Sequence, residues 1–232
     1  MISMAVGRVE TGIPGFDKLI EGGLVPGSTN LIAGNSGTGK TLLCMQYLWN
    51  GLQKGENGVY ITLEQKPEDI LADVAIFGWD FSKYAAAGKF RLESLIASDI
   101  TTVTKRIVEN IRAIGAKRFA LDSLTIATMG WKERPEESFQ LRGKAFDMLN
   151  TLKSLGVTSL IISEVPRGGK DEISKFGFEE FVVDSVVLLN YMTVGGASRN
   201  LQILKMRRTD HGKKIYPFEI TQNGVMVRSL TV

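Results

Sequence analysis

The chain has 232 residues, with 28 Lys and Arg against 25 Asp and Glu, a net charge of +3 and 44% hydrophobic residues. That length suits one substantial α/β domain better than two small ones, and a charge so close to neutral does not by itself point to a nucleic-acid partner. One cysteine, Cys44, rules out an internal disulfide, no Cys/His pattern suggests zinc, and the sequence has neither a signal peptide nor an apolar run of about 18 residues, so a cytoplasmic protein is expected.

From the N-terminus, "TNLIAG" (29–34) has the continuous apolar character of a buried strand, and a helix is expected from Lys40 to about Leu52. "GVYITLE" (58–64) is a second strand. Pro67 suits the first turn of a helix that should stop at Gly78. Between Asp99 and Ile114 the spacing of Ile100, Val103, Ile107, Ile111 and Ile114 puts all five on one helical face. "RFALD" (118–122) and "VTSLIIS" (157–163) are further buried strands, separated by a helix from about Pro135 to Leu155. Apolar strands alternating with helices imply a parallel sheet covered on both faces. After residue 181 the pattern changes: "VVDSVVLLNYM", "NLQILKM", "YPFEI" and "VMVRSL" follow with only turns between, which predicts an antiparallel extension. No repeat or linker divides the chain, and residues 1–232 are expected to form a single domain.

The sharpest motif is "GNSGTGKT" (34–41), which satisfies G-x-x-x-x-G-K-[ST] between a predicted strand and a predicted helix. Its residues Gly34, Asn35, Ser36, Gly37, Thr38 and Gly39 can curl backbone N–H groups around a polyphosphate at the positive end of the helix, which continues through Leu42. Lys40 can reach the β- and γ-phosphates, and the Thr41 hydroxyl can hold Mg²⁺. Asp122, at the end of an apolar strand, fits the second magnesium anchor such a site needs. Glu64 ends the strand after the phosphate-loop helix, where it either activates water or caps the helix beginning near Pro67.

"TGIPGFDKLIEGGLVPGSTNLIAGNSGTGKT" (11–41) resembles the opening of the RecA/KaiC superfamily of ATPases. "YITLEQKPEDI", "IFGWD", "GFEEFVVDSVVLL" and "LKMRRTDHGKKIYPFEIT" resemble KaiC and its single-domain relatives, many of them archaeal. The resemblance covers essentially the whole chain. It implies a RecA-like P-loop core with ATP and Mg²⁺ as ligands, Glu64 as the residue that activates water, Asp122 at the metal, and a polar residue at Ser163–Glu164 sensing the γ-phosphate. It also implies nucleotide held between subunits of a homo-oligomer, a hexamer first among the candidates. Three departures stand out. KaiC has two ATPase domains in tandem, and this chain has one. Gln65 stands where such sites often carry a second glutamate, which predicts slow hydrolysis. Glu180-Phe181 replaces the phosphorylated Ser-Thr pair, so no autokinase activity is expected.

"KMRRTDHGK" (205–213) packs four cations and the chain's single histidine into nine residues. Period 2 along a strand sends Lys205 and Arg207 to one face and Met206 to the other, as two cations converging on one phosphate require. The resemblance makes Lys205 and Arg207 the cations offered to a neighbour's γ-phosphate, and Thr209 and His211 the contacts to its sugar and base. Arg208 stands where the family usually has glycine, and Asp210 has no assigned role. A solvated basic strand is the alternative.

Two functions therefore stand side by side: a slow ATPase assembling into a ring, with a regulatory role and an unspecified protein partner, or a recombination-type module that binds DNA weakly and uses ATP mainly for structure. The segments that could meet DNA are 123–138 and 165–180, the latter with Arg167, Gly168, Gly169 and Lys170. Cations and acids nearly balance in both, which disfavours a strong polyanion site.

Overall fold

The protein is described by a computed structural model covering residues 7–96, 99–127, 135–165, 179–192 and 198–228. Among the described residues nine strands form one sheet in the order β3-β2-β4-β5-β1-β6-β7-β8-β9. They are β1 (Thr29–Gly34), β2 (Gly58–Thr62), β3 (Phe90–Ser94), β4 (Arg118–Asp122), β5 (Thr158–Glu164), β6 (Ser185–Met192), β7 (Ser198–Met206), β8 (Ile215–Thr221) and β9 (Gly224–Val227). The helices are α1 (Lys40–Gln53), α2 (Pro67–Ala75), α3 (Phe81–Ala86), α4 (Ile100–Ile114), α5 (Leu124–Ala127), α6 (Pro135–Ser154) and α7 (Glu179–Val182). Among the described residues no helix is long and apolar enough to cross a membrane.

Each central strand is apolar on both faces because both faces are covered. Ile32, Tyr60, Ala120 and Leu160 pack under α1, whereas Leu31, Ala33, Val59, Ile61, Phe119 and Leu121 pack against α4 and α6. The five-residue stripe predicted on α4 meets that second core, and Asp99 caps the helix by accepting from Thr101 N at 2.7 Å.

Four expectations need correction. The second strand ends at Thr62, so Glu64 lies two residues past it; the Thr62 hydroxyl accepts from Glu64 N and Gln65 N, turning the chain out of the sheet. The strand expected at 157–163 runs one residue later. The C-terminal extension is not antiparallel from its first strand, because β6 pairs parallel to β1 and the reversal comes only between β6 and β7. Finally, α3 and β3 were not anticipated; Asp80 caps α3, and β3 adds an edge strand parallel to β2. Most of the two segments considered for DNA falls outside the described residues, including Arg167, Gly168, Gly169 and Lys170.

Two polar knots fix the frame around β1 and α1. In the lead-in, Asp17 accepts hydrogen bonds from Thr11 N at 2.9 Å, Thr11 Oγ1 at 2.7 Å and Gly12 N at 3.2 Å. On α1 the buried Gln46 amide donates to Gly12 O and Val225 O, both at 3.0 Å, and accepts from Val225 N at 2.6 Å. One side chain thus ties the helix to the lead-in and to the β8–β9 hairpin. Gln46→Ala would strand those backbone groups and open a void, and should cost roughly 2–4 kcal/mol, measured as a lower denaturant midpoint at unchanged slope.

Candidate active site at the carboxyl edge of the sheet

The phosphate loop leaves β1 at Gly34 and enters α1 at Lys40. A Cβ on Gly34 would stand 2.4 Å from Leu189 O of β6, so only glycine lets the loop depart there. Gly39 takes φ +100°, and a Cβ on it would press on Phe218 Cε1 at 3.1 Å, so the β8–β9 hairpin closes directly over the start of α1. Two side chains from the β6–β7 pair brace the loop: Tyr191 donates its hydroxyl to Gly37 O at 2.6 Å, and Arg199 Nε reaches the same oxygen at 3.4 Å. Lys40 Nζ donates to Gly34 O at 2.9 Å and Asn35 O at 3.0 Å. Burial lowers its pKa, opposed by the carboxylates of Glu164, Asp122 and Glu64.

The neighbouring strand ends bring the acids together. Asp122 Oδ2 accepts from Thr41 Oγ1 and from Tyr60 Oη, both at 2.7 Å. Ser123 donates to Glu64 Oε1 at 2.5 Å. Burial raises the Glu64 carboxyl above its ordinary value; the Ser123 bond opposes that shift, and the charges of Asp122 and Glu164 add to it. Lys40, Thr41, Glu64, Asp122 and Glu164 line one cavity of about 430 Å³ with Ser36, Gly37 and Leu42, continued on its far wall by Ile76 and Phe77. Ser163 is buried and turns its hydroxyl toward Glu179 Oε1 at 3.4 Å, so of the Ser163–Glu164 pair it is Glu164 that faces the cavity. Among the described residues no group of three or more His, Cys, Asp or Glu could cage a metal alone. One hydroxyl and one carboxylate beside a phosphate cradle is instead the donor set that suits Mg²⁺, which keeps waters and takes substrate phosphates as ligands.

Lys205, Arg207, Thr209 and His211 lie at the opposite edge of the sheet. β7 runs antiparallel to β6, so its first residues meet the phosphate loop while its last pair with Ser185, at the start of β6. Lys205 Nζ donates to Glu180 O at 2.9 Å and Val183 O at 2.8 Å, at the carbonyl end of α7. Burial lowers its pKa, and the Arg207 charge adds to that effect. Arg207 lies one residue past the strand, with Nη1 3.6 Å from Asp184 Oδ1, an oxygen also 3.1 Å from Lys153 Nζ. Arg208 adopts φ +58°, which accounts for glycine being usual there in the sequence pattern. Arg8 holds this turn, donating to Thr209 Oγ1 at 2.7 Å and Arg208 O at 3.2 Å. His211 Nδ1 lies 3.0 Å from Gly212 O.

A family model described as "ATPase: KaiC" matches residues 9–232, which takes in both edges of the sheet. The chain belongs to the KaiC family of ATPases. It is therefore a nucleotide-binding ATPase domain of the RecA/KaiC type. Among KaiC relatives, a circadian clock protein KaiC3 of Synechocystis is 37% identical over 238 residues, which cover 97% of this chain and 46% of that protein. The chain thus spans less than half the length of the KaiC clock proteins it matches. A UPF0273 protein of Aeropyrum pernix is 34% identical, covering 96% of this chain and 94% of its own length. The crystal structure of a KaiC-like protein from Pyrococcus horikoshii superposes with a TM-score of 0.86 at 38% identity, covering 97% of this chain and 100% of that one.

The phosphate-loop pattern and the acids at strand ends point to Lys40, Thr41, Glu64 and Asp122 in the sequence, but three residues at this edge carry no such signal. Tyr60 looks like any aromatic core residue of a strand, and Tyr191 and Arg199 approach the loop only through the pairing of β6 with β7. Ser123→Ala would remove the donor that counters burial at Glu64. The Glu64 carboxyl should then titrate at a higher pH than in the wild type, as carbon-13 NMR of labelled glutamate side chains would read directly.

Proposed function

We propose that this chain, as one ATPase unit, hydrolyses ATP slowly with Mg²⁺ at the interfaces of a homo-oligomeric ring, a hexamer by preference, and that nucleotide state sets the assembly's conformation in a regulatory role. The observation that carries this reading is the separation of the two edges. Arg199 touches the phosphate loop at one end of β7, and Arg207 lies eight residues further on, roughly 27 Å away at strand rise. Arg207 and Lys205 therefore cannot serve the nucleotide of their own subunit. A head-to-tail contact lets each subunit offer these cations to one neighbour and receive a pair from the other.

In this reading Lys40 and the loop N–H groups bind the phosphates, Thr41 and Asp122 hold Mg²⁺, and Glu64 takes the proton from the attacking water. The metal would supply charge neutralisation across the β- and γ-phosphates. Thr209 and His211 would meet the neighbour's sugar and base. The open groove of about 800 Å³ between the end of α2 and the β8–β9 hairpin, lined by Ile76, Phe77, Ile220, Thr221, Gln222 and Asn223, shares Ile76 and Phe77 with the phosphate cavity and offers the base both apolar and amide contacts. Gln65, which lines the cavity beside Glu64, cannot accept a proton as a second glutamate would, and this supports a low turnover.

Lys40→Ala should weaken nucleotide binding, whereas Glu64→Gln should bind ATP normally and cease turnover. Arg207→Ala should lower the rate by roughly 10³-fold or more, the scale of an arginine supplied in trans. Mixed and allowed to exchange subunits, the two inactive variants Glu64→Gln and Arg207→Ala should regain activity, because some interfaces pair an intact Glu64 with an intact Arg207. An inactive mixture in which exchange is shown by native mass spectrometry would overturn the in-trans role. Incubation with ATP should leave the intact mass unchanged, since Glu180 and Phe181 offer no hydroxyl.

A further inference from the structure

The Tyr60 hydroxyl has no packing duty that phenylalanine could not perform. Tyr60 is fully buried on β2, facing the α1 side of the sheet, while Val59 and Ile61 face the other core. A buried phenol needs a hydrogen-bond partner, and this one finds it in Asp122 Oδ2 at 2.7 Å. Thr41 Oγ1 donates to the same oxygen at the same distance from the opposite element, α1. Among the described residues Oδ1 of Asp122 accepts no hydrogen bond, and Asp122 lines the cavity.

We propose that Tyr60 is a positioning residue for the metal. Its hydroxyl fixes Asp122 by Oδ2 so that Oδ1 is presented to the hydrated cation beside the nucleotide phosphates. Two donors converging from α1 and β2 set the rotation of the carboxylate about the oxygen they share. Partners that orient a metal ligand in this way typically contribute roughly 10–100-fold to metal affinity. The inference rests on Asp122 being the magnesium anchor, and the test separates the two claims.

The probe is Mn²⁺, titrated by electron paramagnetic resonance into the full chain with saturating ADP. Tyr60→Phe should weaken Mn²⁺ binding by roughly tenfold. ADP affinity in EDTA should stay near wild type, a split that a merely structural role would not produce. Two further variants at position 60 separate the bond from the volume. 4-Fluorophenylalanine fills the space without a donor and should behave as Tyr60→Phe, while 4-aminophenylalanine restores a donor and should recover the affinity. Wild-type Mn²⁺ affinity in Tyr60→Phe, alongside weakened binding in Asp122→Asn, would overturn the role of Tyr60. Failure of 4-aminophenylalanine to rescue would overturn it as well. Unchanged binding in Asp122→Asn would instead overturn the assignment of the metal to Asp122.

Discussion

Asp122 Oδ2 receives hydrogen bonds from α1 and from β2 while its own backbone ends β4. Three adjacent elements are thereby locked at one point, and the rest of the site hangs from that lock. Ser123, the next residue, donates to Glu64, which the Thr62 turn delivers to meet it. The two donors on Oδ2 replace part of the hydration that burial takes from this carboxylate. The polar network that makes the site chemically competent is therefore also what makes a charged strand end compatible with the core.

The legible part of this protein was the part governed by short-range rules. The phosphate loop, the apolar strands and the α4 stripe depend on residues within a few positions of one another, and the structure places them within a residue or two of expectation. What escaped depends on pairing between distant segments. That β6 lies parallel to β1 is decided by the sheet, since its apolar run would suit either direction. Glu64 was expected at the end of its strand, yet a hydroxyl two residues earlier ends the strand at Thr62 and bends the chain first. α3 and β3 are short, and their stability comes from packing; the Phe81 and Phe90 rings meet at a tilt with centroids 4.6 Å apart, a contact that no periodicity announces.

Arg118 shows the same limit from another side. An arginine opening an apolar strand suggests an exposed end, but this one is buried, paired with Glu56, donating to Tyr47 O at 2.8 Å and lying over the Tyr47 ring at 4.6 Å. Its charge is tolerated because Nε and Nη1 meet oxygen partners and one face of the guanidinium meets the Tyr47 ring, an arrangement visible only once α1 and β4 are side by side.

The bulge in β7 has a consequence for how the two ends of that strand are phased. Leu201 and Ile203 alternate into the core beneath α1, and unbroken alternation would carry Lys205 in after them. The register slips between Val186 and Val187 on the partner strand, so Met206 takes the buried place and Lys205 emerges toward α7. One extra residue thus acts as a gear tooth, converting a strand that serves the core at one end into one that presents cations at the other. Removing that residue would exchange Lys205 and Met206 between charge and core in a single step, so the strand tolerates no change of length between Ile203 and Met206.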